Sequence, residues 1–191
     1  QSYIQNLANA IENAMVQREL SSFEEIKALY QKDSLTGLYN RRGADKLTKE
    51  MFAKAGESGT ELILVSIDMD GLKYINDTYG HTEGDKAISK MGAVLQSAVH
   101  EKEVCARVGG DEFFCILLSE DPDREKQFLS QLEKSMEEAN EKGGLYSIGA
   151  SVGFARSMET PGMSILQCQQ LADMRMYENK RKRKVARGQS V

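Results

Sequence analysis

The chain has 191 residues, of which 40% are hydrophobic and 28% are charged, with two prolines and a net charge of −4. This balance is typical of a globular domain and excludes collagen-like, disordered and low-complexity chains. No apolar stretch approaches the roughly 20 residues of a membrane span, so we expect a soluble chain without a membrane segment. The three cysteines lack metal-site spacing, which favours reduced thiols and a cytoplasmic location.

The charges are distributed unevenly along the chain. No acidic residue follows Glu178, whereas six basic residues lie between positions 180 and 187. The rest of the chain is acidic and lacks the extended basic surface that nucleic acid requires, so a nucleic-acid partner is excluded. The basic run itself fits either a solvated tail or a short clamp for a polyphosphate.

The first 31 residues predict one helix with an apolar stripe. The stripe consists of Ile4, Leu7, Ile11, Met15, Phe23, Ile26 and Tyr30. Its spacing begins as a heptad and then steps by four, which fits either a parallel coiled-coil contact with a second copy or packing on the helix's own domain. Because the chain begins with Gln1, we expect it to be part of a longer protein whose sensor, or a membrane anchor, precedes it.

Helical and strand patterns then alternate along the chain. In order, they predict a helix over 41–54, a strand over 62–67, a helix over 83–99, strands over 104–108 and 113–118, a helix over 124–141, a strand over 146–155 and a helix over 164–180. The glycines at 56 and 59 predict a break after the second helix. The strand at 62–67 is apolar throughout, which indicates burial on both faces. The order predicts an α+β fold, an α/β sandwich in which helices cover one sheet.

Two acidic turns follow predicted strands. Asp68 and Asp70 end the first strand, and Asp111 and Glu112 lie in a hairpin turn whose two glycines accept positive φ. If the hairpin pairs beside a central first strand, these oxygens approach one another and suit Mg²⁺ and phosphate. Acidic turn residues are more often solvated caps, so the spacing alone leaves both interpretations open.

Longer motifs resolve that choice. The chain reads DMDGLKYINDTYGHTEGD at 68–85 and RVGGDEF at 107–113, with DSLTGLYNRR at 33–42 and ADMRMYENK at 172–180. In this order the motifs closely resemble the GGDEF family, the diguanylate cyclases. The resemblance covers residues 33–184. It divides the chain into an N-terminal signalling helix at 1–31, a catalytic domain at 32–184 and a basic tail at 185–191.

The resemblance implies a fold and a reaction. The fold is similar to the palm of adenylyl cyclases and polymerases, with a mostly antiparallel sheet flanked by helices. The reaction joins two GTP molecules into cyclic di-GMP with release of two pyrophosphates. Each domain holds one GTP, and each 3′-hydroxyl attacks the α-phosphorus of the other nucleotide, so a homodimer is part of the mechanism.

The resemblance also implies a metal and catalytic set. Asp68, the carbonyl of Met69, Asp111 and Glu112 are expected to bind two Mg²⁺ ions, with Mn²⁺ as an alternative. Asp111 and Glu112 are the expected catalytic residues. Asp111 is assigned to helping remove the 3′-hydroxyl proton.

Nucleotide recognition is implied at two further groups of positions. Asn76 and Asp85 are expected to read guanine, because a carboxylate accepts from its N1–H and N2–H₂ donors. His81 either lines this pocket or is a structural hydrogen-bond partner. The expected phosphate and sugar contacts are Gly71, Leu72, Lys73, Gly109, Gly110, Lys180 and Lys184.

The chain departs from the family pattern at three places. Gly71 replaces the usual phenylalanine, which predicts a looser turn over the phosphates and weaker activity. Lys184 replaces a usual arginine, which keeps the charge but loses the bidentate fork. His100 and Glu103 replace the ends of the inhibitory Arg-x-x-Asp segment, so we expect no tight cyclic di-GMP binding there.

Three functions remain to be compared. The first is an active diguanylate cyclase that receives signals from an upstream sensor through its N-terminal helix. The second is a silent GTP-binding or protein-interaction module. The third is a cyclase of relaxed base choice that makes a mixed dinucleotide, against which Asp85 argues.

Overall fold

The computed structural model describes residues 2–186, apart from the side chains at 2, 24, 25 and 27–29. Within that range it contains six helices and four strands. The helices are α1 (Ser2–Leu29), α2 (Arg41–Ser58), α3 (Leu72–Tyr79), α4 (His81–Ala98), α5 (Arg124–Glu141) and α6 (Ile165–Ala186). The strands are β1 (Leu62–Asp70), β2 (Val104–Arg107), β3 (Glu112–Leu118) and β4 (Gly149–Arg156).

The four strands form one antiparallel sheet in the order β2-β3-β1-β4. β1 has neighbours on both edges and is buried from Leu62 to Met69, as its unbroken apolar sequence predicts. β2 and β3 form the predicted hairpin. The α+β fold with helices covering a mostly antiparallel sheet is therefore confirmed.

The alternation of side chains along β1 divides the core into two layers. Ile63, Val65 and Ile67 belong to one apolar cluster, which is shared with α3, α4 and α5. Leu62 and Leu64 belong to another, which is shared with α2 and α6. Because the period is two residues, the polar pair Ser66 and Asp68 faces the α2 and α6 side.

α6 lies against β4 at a distance that only glycine permits. A Cβ atom at Gly153 would stand 2.2 Å from the carbonyl oxygen of Ala172 and 2.2 Å from the backbone nitrogen of Met176. Asn179 adds a bond at the strand, because its Oδ1 accepts from the N–H of Val152 at 3.2 Å. These contacts hold the carboxyl half of α6 beside the end of the sheet where β1 finishes.

Several predicted boundaries were wrong. Gly56 does not break α2, which continues to Ser58 and ends at Gly59 in a left-handed conformation (φ 69°). β1 extends through Asp68 to Asp70, so these acids lie on the strand and not in a turn. The separate helix α3 was missed because its eight residues follow β1 after a single glycine. β4 begins at Gly149, three residues later than predicted.

The basic run is helical over residues 180–186, the part of it that the structure describes. α6 does not end at Lys180 as predicted but continues through Ala186. Arg183 and Lys184 therefore lie on the last turns of the helix. The predicted tail at 185–191 lies outside the described residues from 187 onward. A helix places residues 180, 183 and 184 on one face, whereas Arg181 and Lys182 are exposed on other sides of the helix.

The apolar stripe of α1 is not covered by the domain. Ile4, Leu7, Ile11 and Met15 keep 53% or more of their surface exposed. This excludes packing on the helix's own domain for this part of the stripe. In the part of the chain that the structure describes, no helix has both the length and the apolar character needed to cross a membrane.

Candidate functional site

Asp68 is the buried carboxylate at the end of β1. Its Oδ1 accepts a hydrogen bond from Nζ of Lys180 at 2.6 Å, and the residue is only 8% exposed. Burial, together with the nearby carboxylates of Asp111 and Asp70, raises the pKa of Asp68, although Lys180 opposes the shift. For Lys180, burial works against the charge, but the bond to Asp68 and the surrounding acids raise its pKa. The site is thus a cluster of negative charge with one ammonium group bound in it.

Asp70 is held by a different pair of residues. Its Oδ1 accepts from the hydroxyl of Ser151 at 2.8 Å, and its Oδ2 pairs with Nε of Arg183 at 3.2 Å. Ser151 lies on β4 and Arg183 lies on α6. Asp70 therefore ties the last turns of α6 to the sheet, next to Lys180.

The hairpin brings the other two acids to β1. Asp68 lies opposite Glu112 in the strand register, and the N–H of Met69 donates to the carbonyl of Asp111 at 2.8 Å. The proximity expected for the two acidic segments is present. The Glu112 side chain extends toward α2, where its Oε2 lies 3.9 Å from Nη2 of Arg41.

The hairpin turn is held by Arg107 and not by unusual glycine conformations. The guanidinium of Arg107 donates to the carbonyl of Gly110 at 3.1 and 3.2 Å and pairs with Asp33 at 3.2 Å. Neither Gly109 nor Gly110 has a positive φ, so the turn does not use the conformational freedom that these glycines offer. A Cβ at Gly109 would stand 2.4 Å from Oε2 of Glu112, so the glycine makes room for this carboxylate.

The oxygen ligands fit a hard divalent cation by their chemistry. Asp68 and Asp111 both lie close enough to the Lys180 ammonium to raise its pKa, so the acids favour a positive charge at this position. In the range 2–186, no three acidic, histidine or cysteine side chains converge on one point. Glu112 is turned toward Arg41, so a metal would need this side chain to rotate inward.

The residues expected to read guanine meet at the α3–α4 junction. Asn76 lies on α3, while His81 and Asp85 lie exposed in the first two turns of α4. A Cβ at Gly84 would stand 1.9 Å from Oδ1 of Asn76, so the glycine lets the amide lie against α4 immediately before Asp85. The three residues therefore lie within the α3–α4 segment, with Asn76 and Asp85 on either side of Gly84.

The expected phosphate contacts border a cleft of about 450 Å³. Gly71, Lys180 and Lys184 line it, with Arg183 between the two lysines. Gly71 adopts a left-handed conformation (φ 77°) at the start of α3. A side chain is strained in this conformation, so glycine suits the backbone of this turn, while its effect on the phosphates stays a prediction.

Leu72 and Lys73 form the first turn of α3 behind Gly71. Leu72 is buried in the core, while Lys73 is exposed. The first backbone N–H groups of a helix have no partner within the helix and attract anions. The backbone of this turn is therefore suited to phosphate, as the resemblance implies.

The segment at the inhibitory position serves the fold. Glu103 is 8% exposed and forms an ion pair with Arg124, and its carboxylate accepts from the backbone N–H of His100 at 2.7 Å and of Leu118 at 3.1 Å. The carboxylate of Glu103 is therefore buried and fully engaged in contacts with the protein itself. The absence of a tight product site at this position stays a prediction.

Sequence reasoning missed three contributors to the site: Ser151, Arg183 and Arg107. Arg183 had a detectable signal, since it lies three residues after Lys180 on a helix. Arg107 had one as well, since it begins the motif at 107–113 and bonds to Gly110 three residues later, whereas Ser151 had none because Asp70 lies 81 residues away in the chain.

Comparisons with known proteins bear on this site. A family model described as "Diguanylate cyclase, GGDEF domain" matches residues 30–185. The probable diguanylate cyclase DgcJ of Escherichia coli K12 is 32% identical over 167 residues, which cover 87% of this chain and 32% of that protein. The cyclic di-GMP phosphodiesterase PdeB of Shewanella oneidensis is 31% identical over 147 residues, which cover 74% of this chain and 17% of that protein.

A solved structure extends the similarity to the first helix. The coiled coil and GGDEF domain of DgcB from Caulobacter crescentus, in complex with c-di-GMP, aligns with a TM-score of 0.78 and 30% identity. The alignment covers 95% of this chain and 96% of that one. The chain spans between 17% and 48% of the length of the curated relatives that it matches.

Proposed function

We propose that this chain, which belongs to the diguanylate cyclase GGDEF domain family, condenses two GTP molecules into cyclic di-GMP and two pyrophosphates. One observation carries the proposal: the strand register seats Glu112 opposite Asp68 while Met69 bonds to the carbonyl of Asp111. The four proposed oxygen donors therefore lie at one end of the sheet, where β1 ends and β3 begins. Every acid of the family's metal set is present in this chain.

The family uses a divalent metal, and we assign its ligands to Asp68, the carbonyl of Met69, Asp111 and Glu112. Two Mg²⁺ ions bound there would offset the negative charge that develops on the attacking and leaving oxygens. Lys180, which now lies on Asp68, is available to move to the phosphates. The acidic cluster would thus be paired with Lys180 in the absence of GTP and with the metal ions when GTP is bound.

The triphosphate is assigned to the cleft between α3 and α6. Lys180 and Lys184 supply positive charge, and the N–H groups of Leu72 and Lys73 supply donors at the helix start. The missing side chain at Gly71 leaves the phosphates room to approach this backbone. These groups orient the α-phosphate toward the acidic end of β1.

Guanine is assigned to Asn76 and Asp85. An ionised Asp85 accepts from N1–H and N2–H₂ of guanine, whereas adenine presents an N1 acceptor that repels it. Gly84 lets the Asn76 amide lie against the helix turn that also carries Asp85, which supports assigning both residues to one base. His81 is assigned to the rim of this pocket.

The reaction requires two copies of the chain. The 3′-hydroxyl of the GTP on one copy attacks the α-phosphorus of the GTP on the other, Asp111 accepts the hydroxyl proton and pyrophosphate leaves. The same step in the opposite direction closes the ring. Because each copy binds one GTP, a monomer holds only half of the reactants.

The first test is incubation of the chain with GTP and Mg²⁺ at high protein concentration, followed by chromatography and mass analysis. We expect cyclic di-GMP from the wild type and a loss of at least about 100-fold in Asp111→Ala and Glu112→Ala, the scale of lost transition-state electrostatics. Glu101→Ala is the control, because this exposed acid lies outside the site.

A wild type without product would count against the proposal only after dimerisation is enforced. Fusion to a strong parallel coiled coil makes that distinction. Product from the fusion would show that the isolated chain does not dimerise sufficiently. A fusion that binds GTP without turnover would instead identify the silent module, an arrangement consistent with similarity to a protein named as a phosphodiesterase.

Base selection is tested with GTP and ATP as sole substrates. Asp85→Ala should raise the KM for GTP by about tenfold or more, since a good bidentate base contact is worth about 1–3 kcal/mol. Asp77→Ala, a change at an exposed acid on α3, should leave KM near its original value. Appreciable product from ATP alone in the wild type would contradict strict guanine selection.

A further inference from the structure

Cys105 and Cys115 face each other across the hairpin strands. They are paired residues in the β2–β3 register, and their Sγ atoms lie 3.2 Å apart. Both are buried, with exposures of 4% and 0%, and both belong to the cluster under α4 and α5. The two thiols therefore point to the same side of the sheet and are in contact.

The backbone bonds show which kind of strand pair they form. The carbonyl of Cys105 accepts from the N–H of Tyr39 at 3.1 Å, so it points to the outer edge of β2 and away from β3. Cys105 and Cys115 are accordingly a non-hydrogen-bonded pair, for which Cα atoms are about 4.5 Å apart. A disulfide spans Cα separations of about 4.4–6.8 Å, so the strands need little movement to accept one.

We propose that Cys105 and Cys115 form an oxidisable dithiol, which hydrogen peroxide converts into a cross-strand disulfide. The thiolate of one cysteine attacks the peroxide, the O–O bond breaks and a sulfenic acid and water form. The second thiolate then attacks the sulfenic sulfur, the S–O bond breaks and a second water leaves. Two thiols lose two electrons in total, and one hydrogen peroxide is reduced.

The position of β2 determines which thiol reacts first. β2 has four residues and lies at the edge of the sheet, where its outer side bonds only to the backbone of Tyr39 within the described chain. Local opening of this short strand exposes Cys105 while Cys115 stays on the inner strand. Burial and the neighbouring Cys105 raise the pKa of Cys115 well above its ordinary value, which keeps it a thiol and leaves Cys105 to react with peroxide first. Contact with the sulfenic sulfur of Cys105 then brings Cys115 into the second step.

The disulfide would close a ring around the acidic hairpin. Cys105 lies four residues before Gly109, and Cys115 lies three residues after Glu112. Oxidation would therefore join the two strands that carry the turn with Asp111 and hold them together when β2 opens. The inference depends on the geometry of the strands and not on the proposed cyclase activity.

Cys168 supplies an internal control. It is buried on α6 on the opposite side of the sheet, among residues of the other apolar cluster, and burial raises its pKa to about 11. It has no second thiol on its side. A reagent that merely unfolds the protein would expose all three cysteines alike.

The test is treatment of the folded chain with hydrogen peroxide, followed by trypsin digestion and mass analysis without reductant. Trypsin cuts at Lys102, Arg107 and Arg124, which separates Cys105 from Cys115. We expect a disulfide-linked pair of peptides 103–107 and 108–124 in at least about tenfold excess over any pair that contains Cys168, because proximity raises the effective concentration. Dithiothreitol should abolish it.

Two variants keep the result interpretable. Cys168→Ser should retain the linked pair, and Cys115→Ala, whose folding is checked by circular dichroism, should lose it and accumulate sulfinic acid on Cys105, because no second thiol resolves the sulfenic acid. A wild type that retains both thiols, or that links Cys168 equally often, would overturn the proposal. Linkage between copies is distinguished by mixing unlabelled and ¹⁵N-labelled protein, and a mixed-isotope pair as the main product would also overturn it.

Discussion

Glu103 and Arg124 are a buried charge pair that the fold satisfies completely. Arg124 donates from Nε to Glu103 at 2.8 Å and from Nη2 to the carbonyl of Ala98 at 2.9 Å. Burial alone would raise the pKa of Glu103, but the bonds from Arg124, His100 and Leu118 outweigh it and hold this pKa below its ordinary value. The ionised form is therefore the one that stabilises the fold.

Replacement of one partner should destabilise the protein markedly. Glu103→Gln leaves Arg124 buried without its counter-charge, which typically costs about 3–5 kcal/mol. Urea denaturation at neutral pH measures the difference. Glu101→Gln, at an exposed neighbouring position, should change the free energy of unfolding by no more than about 0.5 kcal/mol. An equal effect of both variants would contradict the structural role of the pair.

The same pair predicts a pH dependence. Because the pKa of Glu103 is lower in the folded state, its contribution is complete above the unfolded value near 4.5 and is lost as the pH falls through the folded value. The stability difference between wild type and Glu103→Gln should therefore shrink between about pH 6 and pH 3. A difference that grows on acidification would contradict this sign.

At the scale of elements, the site depends on how α6 is seated on the sheet. Ser66 and Asp68 share a face of β1, so Ser66 donates to Asp173 at 2.5 Å while Lys180 reaches Asp68. These contacts lie seven residues apart on α6, which is two helical turns. Gly153 permits the close approach that makes both possible.

Gly153→Ala should displace α6. Its Cβ would meet the helix backbone, which cannot rotate away as a side chain does, so we expect a loss of about 1–3 kcal/mol in stability and weaker product formation. Gly56→Ala is the matched control, because a Cβ there meets nothing within 4 Å in the interior of α2. It should stabilise the protein by up to about 1 kcal/mol in thermal or urea unfolding. Equal destabilisation by the two variants would contradict the conclusion that Gly153 is needed for α6 to pack closely on β4.

At the scale of the whole molecule, α1 is an exposed helix linked to the acidic hairpin through a short series of polar contacts. Nδ2 of Asn40 donates to the carbonyls of Tyr30 and Lys32, which fixes the end of α1 against the start of α2. Asp33 then pairs with Arg107, whose guanidinium holds Gly110. A series of hydrogen bonds and one ion pair thus links the C-terminal end of α1 to the turn of the β2–β3 hairpin.

We expect α1 to join two copies through its exposed apolar stripe. Deletion of residues 1–31 should leave GTP binding intact but lower dimerisation in sedimentation and reduce turnover, because the reaction needs two chains. Ile11→Lys should weaken the dimer in the same way, whereas Asn13→Lys, off the stripe, should not. Unchanged sedimentation and rate after the deletion would show that the helix has no such role.

Sequence patterns determined much of this protein by themselves. The helix over 124–141 was predicted with the same bounds that α5 has. This was possible because the spacing of its apolar residues and the glycines that follow it are visible in a short stretch of sequence. The unbroken apolar run predicted a buried central strand for the same reason. The motifs identified the family, since they are contiguous runs. The roles of individual site residues remain predictions.

Only the tertiary structure decided which distant side chains meet. Asp70 with Ser151, Glu103 with Arg124 and Cys105 with Cys115 are contacts between different elements, separated by 81, 21 and 10 residues. Such contacts follow from strand register and helix seating, where a shift of one residue turns every side chain to the opposite face. Local spacing determines which elements form, whereas the packing of those elements determines which groups share a site.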